Sequence, residues 1–447
     1  MWPMARKCLG VVLAVAASAA GGEAAGPDHD RRELAGKILL EAQVSAHDIV
    51  SPSGRNAALA SIAEVMIRAG DENGALALDK KIKTTETPRP ILKALALAQL
   101  HAGRIDDALF TVRTMNDADA SDITLFALAH AADDSGDAEL AVRMCRLVSG
   151  EGRLDALLLA TRIEHQVADR DGEDAALDAA KLLAHRQAEV AKVAETEALI
   201  GNLERADRLM ARLHRESDQS RVLAAMVSIE AAARDFAAAD SHAADINVDS
   251  YRSAALGSIA MAHAQAGQMK DAIEQMNAIP DDDVRLDIER KVTELALKNQ
   301  GLDGGRAAAL GCHDAAGKSV CLSLVALATA KSGNAQLARK TMAEAQAALF
   351  PEHELPSDPA LAAVAENLAG IDMPDEAVAM VEKIRDADIR TDEARAVLRA
   401  ITRGHDLAFA RKRIESLKDA PERTAAMVGI ADGMLDLSSA DDSPLAN

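Results

Sequence analysis

One nine-residue pattern returns three times along the chain, and its basic first position recurs at a period of 33 residues, which constrains the fold more than any other feature. Arg55-Asn-Ala-Ala-Leu-Ala-Ser-Ile-Ala63, Arg252-Ser-Ala-Ala-Leu-Gly-Ser-Ile-Ala260 and Arg423-Thr-Ala-Ala-Met-Val-Gly-Ile-Ala431 share it. The basic first position recurs at Arg252, Arg285 and Lys318, and again at Arg390 and Arg423. Seven residues on stand Ile62, Val193, Ile259, Val292, Val325, Val397 and Ile430. A register held over that length means a chain built of stacked supersecondary units.

Each unit reads as two amphipathic helices. The first carries small and aliphatic residues three and four apart, as at Ala58, Leu59, Ile62, Ala63 and Met66. It ends at Gly70-Asp71, Gly103-Arg104, Gly136-Asp137, Gly201-Asn202, Gly267-Gln268 or Gly333-Asn334. A glycine there suits the left-handed residue that terminates a helix. The second helix ends before an Asp-rich linker such as Ile279-Pro280-Asp281-Asp282-Asp283, whose carboxylates suit the start of the next helix. A lone pair cannot bury its apolar stripe, so the pairs stack.

Composition agrees. About a fifth of the 447 residues are Ala, the strongest helix former, and only 2% are aromatic. That excludes a sandwich or barrel, which needs β-branched and aromatic faces, and a stacking platform for single-stranded nucleic acid. The net charge of −21 disfavours any phosphate-backbone partner. The expected fold is all-α: about eleven antiparallel helix pairs, beginning near Arg55, Pro88, Ser121, Arg153, Arg186, Gln219, Arg252, Arg285, Lys318, Ser357 and Arg390. Leu34–Gln43 reads as a single capping helix before them and Arg423–Leu437 as a single first helix after them.

The expected divisions are a signal peptide over 1–25, a capping helix and linker over 26–54, and repeats over 55–349. A linker or bend at 350–356 precedes repeats and a final cap over 357–437, and 438–447 form a disordered tail. Arg6 and Lys7, the apolar run Leu9–Ala17 and the small residues Ala17-Ser18-Ala19 have the order of a secretory leader. Cleavage after Ala19 would take the charge to −23 and send the chain to the periplasm or outside the cell. Cys145, Cys312 and Cys321 remain. Cys312 and Cys321 face each other across a junction between units, where an oxidising compartment would let them bond; two small buried thiols are the other reading.

The units resemble the tetratricopeptide repeat. Ile62-Ala63, Gly70-Asp71 and Ala75 match its mid-helix pair, its turn and its early second-helix Ala. So do Val193-Ala194, Gly201-Asn202 and Ala206, and Val325-Ala326, Gly333-Asn334 and Ala338. The family's bulky aromatics are replaced here by Leu, Ile, Met and Ala. The resemblance covers about residues 50–437. It implies a right-handed α-solenoid that holds a protein or peptide partner on the concave face of its first helices. In this register that face includes Glu64, Arg68, Lys93, Leu97, His101, Phe126, His130, Asp133, Asp134, Glu195, Met261, Gln265 and Lys331.

No nucleophile elbow, phosphate loop, His-Glu-x-x-His or Cys-x-x-Cys occurs, so no enzyme, metal or cofactor is expected. Asp169–Asp174 has the wrong spacing for a calcium loop and reads as a polar insertion in the fourth unit. His101 and His130, beside Asp133 and Asp134, read as unrelated surface groups rather than a metal constellation. The expected function is an exported scaffold or assembly factor. The alternatives are the helical arm of an envelope carbohydrate-handling enzyme, or a structural protein that self-assembles through its ends.

Overall fold

The structure, a computed structural model, describes residues 27–82, 90–115, 117–350, 355–404 and 406–441. The expected leader and the segment 442–447 lie outside the described residues, as does most of the expected 350–356 bend. Every described element is helical, and the fold is an α-solenoid. The first helix, α1, is Pro27–Ala46, longer than the Leu34–Gln43 expected. Then come the pairs α2 (Pro52–Arg68) and α3 (Glu72–Asp79), α4 (Pro90–His101) and α5 (Ile105–Arg113), α6 (Ala118–Asp134) and α7 (Ala138–Leu147). The next are α8 (Arg153–Gln166) and α9 (Arg170–Leu183), α10 (Gln187–Leu199) and α11 (Leu203–Met210), α12 (Glu216–Ala232) and α13 (Phe236–Ala244), α14 (Asp249–Gln265) and α15 (Met269–Asn277). The eighth pair is one kinked segment, α16 (Asp282–Leu310), bent at Gly301. It is followed by α17 (Ala315–Lys331) and α18 (Ala335–Leu349), α19 (Asp358–Gly370) and α20 (Pro374–Val381), α21 (Ala387–Arg403) and α22 (Leu407–Ser416), and a last helix, α23 (Ala420–Asp441).

The turn inside each pair has the expected cause. Gly70, Gly103, Gly136, Gly201, Gly267 and Gly333 all have φ between 72° and 88°. Where no glycine is present, Ala168, Arg234 and Asp372 adopt φ of 60–63° instead. The residue after the turn caps the second helix: Asp71, Asp137, Asp169, Asp235, Asn334 and Asp406 each accept an amide hydrogen bond three residues on. Asp169–Asp174 is therefore the cap and first turn of α9 and not an inserted loop. The fourth unit's extra length lies in α9 itself, which at 14 residues exceeds its neighbours α7 and α11.

The recurrent arginine also has a role. Arg55, Arg153, Arg285, Arg390 and Arg423 reach back to the carbonyls of Ile49, Val148, Ile279, Ile384 and Leu417, and Gln219 does the same to Leu213. Each ties the end of one unit to the start of the next. The carbonyl belongs to an apolar residue that plugs the linker; Ile49, Val148, Leu213, Ile279 and Ile384 are all buried. A second tie comes one residue along. Asp122 accepts from the amides of Ser149 and Gly150, and Asp358 from those of Arg385 and Asp386, so these carboxylates hold the linkers that end their own units.

The two lone helices were expected to cap opposite ends of an open solenoid. Instead they pack on each other: α23 lies against α21 on one side and against α1 and α2 on the other. Helix α1 buries the stripe Ala35, Ile38, Leu39, Ala42 and Ala46, and one core cluster runs continuously from that stripe to Val428, Ala431 and Leu435 of α23. Helix α23 is thus the first helix of a twelfth unit and α1 its second helix, so the solenoid closes on itself. The physical reason is that each lone helix has an apolar face with no partner in sequence, and each is the only unpaired partner for the other. Glycines make the closure tight. A Cβ at Gly429 would stand 2.2 Å from the Arg395 carbonyl oxygen, and one at Gly433 2.6 Å from that of Arg399, so α23 and α21 pack backbone to backbone.

Candidate functional site

First helices touch successive first helices along most of the array, with α6 and α8 the exception, while the second helices pack on the first ones. The first helices therefore form the inner layer. A concavity on that layer lies between α4 and α6 and has a volume of about 700 Å³. Its wall on α4 is Lys93, Leu97 and His101, spaced by four so that they share one helical face. Its wall on α6 is Ile123, Phe126, Ala127, His130, Ala131 and Asp134, ending at Ser135. The opposite stripes, Leu92, Leu95, Ala96 and Leu100 on α4 and Leu125, Leu128, Ala129 and Ala132 on α6, are buried in the core and fix the orientation of both walls.

The floor is apolar, formed by Leu97, Ile123, Phe126 and Ala127. Ile123 is 44% exposed, a large aliphatic chain left in the groove. The Phe126 ring meets the His130 imidazole edge to face, with centroids 4.7 Å apart. Lys93 in the first turn of α4 and Asp134 at the end of α6 give the rim one charge of each sign.

Of the residues expected on the concave face, Lys93, Leu97, His101, Phe126 and His130 thus meet in one groove. Asp133 lies beside it: its charge acts on the Cys145 thiol behind the wall, and its neighbour Asp134 is the lining carboxylate. Glu64 and Arg68 face the other way, toward the closure. Asp134, also expected on this face, is the rim carboxylate, and the groove residue that the spacing missed is chiefly Ile123, because an isoleucine on an amphipathic helix reads as core.

The closure carries the densest charge cluster. Arg68 of α2 pairs with Asp432 and, at 2.7 Å, with Asp436. Arg399 of α21 reaches Asp432 at 3.1 Å and Asp436 at 2.8 Å, and Arg403 reaches Asp436 at 3.5 Å. Despite partial burial, hydrogen bonds from Arg399 and Arg68 hold the Asp436 carboxyl below the usual range, while burial lowers the guanidinium pKa of Arg395 in the same cluster. Four arginines surround two aspartates, and the ion pairs join α2 and α21 to α23, so the cluster reads as a clasp. Arg423, which donates to Ser45 and pairs with Asp48, ties α1 at the other end of α23.

His101 and His130 both line the groove, yet the sole grouping of three metal-ligating side chains among the described residues is His29, Asp30 and Glu33, all exposed at the start of α1. The three cysteines among the described residues, Cys145, Cys312 and Cys321, are free and buried. No described helix is long and apolar enough to cross a membrane.

No protein-family model matches the chain, and no curated protein matches it. Among solved structures it is similar to Ton1535 from Thermococcus onnurineus NA1, at 12% identity over 75% of this chain and 97% of that one, with a TM-score of 0.27. It is also similar to a circular tandem repeat protein described as having novel repeat topology and enhanced subunit contact surfaces, at 12% identity over 93% of this chain and 99% of that one, with a TM-score of 0.16.

Proposed function

We propose that this chain is an exported, tetratricopeptide-like scaffold that holds a peptide segment of a protein partner in the α4–α6 groove. The observation that carries the reading is the groove itself: an apolar floor with an aromatic ring, exposed on the inner layer, between one cation and one carboxylate. That combination suits an apolar anchor side chain on an extended peptide, with an acidic flank toward Lys93 and a basic flank toward Asp134. Export rests on the order of charged, apolar and small residues in Met1–Ala25.

Two observations weigh against the alternatives. A glycosidase needs two carboxyl groups across the scissile bond, and Asp134 is the one carboxylate lining the groove. Assembly through free ends needs uncovered end faces, and here α1 and α23 cover each other.

Site-specific photo-crosslinking in the cell envelope tests the proposal, with the probe at Ile123 and a control at Leu182, an exposed leucine on α9. The expected result is a discrete adduct from Ile123 alone, lost in Phe126→Ala. Identical adducts at both positions, or none at Ile123, would reject it.

A further inference from the structure

We propose that Cys312 and Cys321 are a redox-active dithiol, closing to an intramolecular disulfide that staples the linker between the eighth and ninth units. The inference stands apart from the groove and does not depend on it.

It starts from the register. Cys312 occupies the linker-plug position filled elsewhere by Ile49, Met115, Val148, Leu213, Ile246, Ile279 and Ile384. The plug packs under the start of the next first helix. In the third unit Met115 meets Thr124, nine residues on, with the hydroxyl 3.4 Å from the sulfur. Cys321 stands at the same nine-residue distance from Cys312 and lies with it in one core cluster, so that thiols occupy both the plug position and the helix position above it. Both are buried, at 6% and 0% exposure, and the Cys312 thiol also lies 3.6 Å from the Ala308 carbonyl. The hydrogen bond to Cys321 and burial together push the Cys312 thiol far up. The plug also sits at a junction where the first-position residue is Lys318, which makes no bond to the plug carbonyl of the kind made by Arg285 or Arg390. A covalent bond would supply that tie.

A third group completes the site. Glu289 of α16 is 1% exposed and accepts a hydrogen bond from the amide of His313, the residue after Cys312. Gly317 leaves room for it, since a Cβ there would stand 1.7 Å from its Oε2. Burial raises its carboxyl to about 7, which suits a group that takes and returns a proton beside the thiols.

The oxidant is a disulfide, small or borne by a protein. Opening of the short linker exposes Cys312, whose thiolate attacks one sulfur of the oxidant, forming a mixed disulfide and expelling the first thiolate. Cys321 gives its proton to Glu289 and attacks the Cys312 sulfur, expelling the second. Both leaving thiolates take up the protons released by the two cysteines, one by way of Glu289. Two electrons pass from the dithiol to the oxidant.

The test equilibrates the folded chain with reduced and oxidised glutathione across a range of ratios, quenches with acid, denatures, alkylates and locates each cysteine by mass spectrometry. The expected result is a Cys312–Cys321 bond that titrates as one two-electron step, with Cys145 alkylated throughout. In Cys321→Ser the mixed glutathione adduct on Cys312 should accumulate, and in Glu289→Gln closure should slow several-fold while the bond forms at the same place. Alkylation of all three thiols at every ratio would overturn the proposal, as would a bond to Cys145 or a glutathione adduct that persists on Cys312 with Cys321 present. An unchanged closure rate in Glu289→Gln would overturn the role given to that acid.

Discussion

Three units whose described turn residue is not glycine allow a sharp test of the repeat geometry. Ala168, Arg234 and Asp372 stand at φ of 60–63°, where six other units place glycine. For a residue with a Cβ the left-handed region costs about 1–2 kcal/mol, and glycine gives back about 0.5–1 kcal/mol through its freer unfolded chain. Ala168→Gly should therefore stabilise its unit by about 0.5–1 kcal/mol. Arg234→Gly should do the same, while Asp372→Gly should gain least because aspartate tolerates this region. The converse is equally clean. A Cβ at Gly103 meets nothing within 4 Å, so Gly103→Ala changes backbone strain alone and should cost about 1 kcal/mol. Stacked units need not melt together, so the assay is hydrogen exchange at the amides of the turn and its second helix, read beside the urea midpoint. Slower exchange in Ala168→Gly with faster exchange in Gly103→Ala is the expected pair. Destabilisation by Ala168→Gly, or a neutral Gly103→Ala, would refute the assigned turn.

Other consequences concern the closure and the buried acids. Gly429→Ala should cost about 2–3 kcal/mol by thermal unfolding, because its Cβ would meet backbone of α21 that no rotamer change can move. Asp432→Asn should cost about 1–3 kcal/mol, and a double-mutant cycle with Arg68→Met should return a favourable coupling; simple additivity would mean that α2 and α23 do not meet. Burial, with Glu366 and Asp392 nearby, raises the Glu393 carboxyl to about 8. The folded chain then holds a proton that the unfolded chain releases near its ordinary value of about 4.3, so stability should fall from about pH 4.5 to 8. Glu393→Gln should flatten that slope and stabilise the chain at pH 8 by about 2–4 kcal/mol; an unchanged pH profile would refute the assignment.

Much of this fold is legible in the sequence because its signals are local. The glycine turn, the Asp cap after it and the apolar stripe lie within one unit, and each is repeated many times. The closure is not local. Nothing within Leu34–Gln43 or Arg423–Leu437 names its partner; the available signal was that one end carries a first helix without a second and the other a helix without a first. Buried Asp432 and the pair Gly429 and Gly433 were a further sign, since a solvent-facing cap needs neither. The groove is legible in part for the same reason. Lys93, Leu97 and His101 share a face by spacing alone, whereas Arg68 is drawn away by a contact more than 360 residues along the chain. Why the first-position residue is so often arginine emerged from the structure, because its acceptor lies in the preceding unit's linker.

The central claim is that the two ends of the chain form one unit, and a cross-link tests it most directly. The hydroxyls of Ser45 on α1 and Thr424 on α23 lie 3.0 Å apart. A Ser45→Cys, Thr424→Cys variant in dilute solution under mild oxidation should form an intramolecular bond quantitatively, located by mass spectrometry. Closing so long a loop should add about 4–6 kcal/mol by chain entropy. Bonds that form only between chains and in proportion to concentration, or no bond between these positions, would contradict the closed fold.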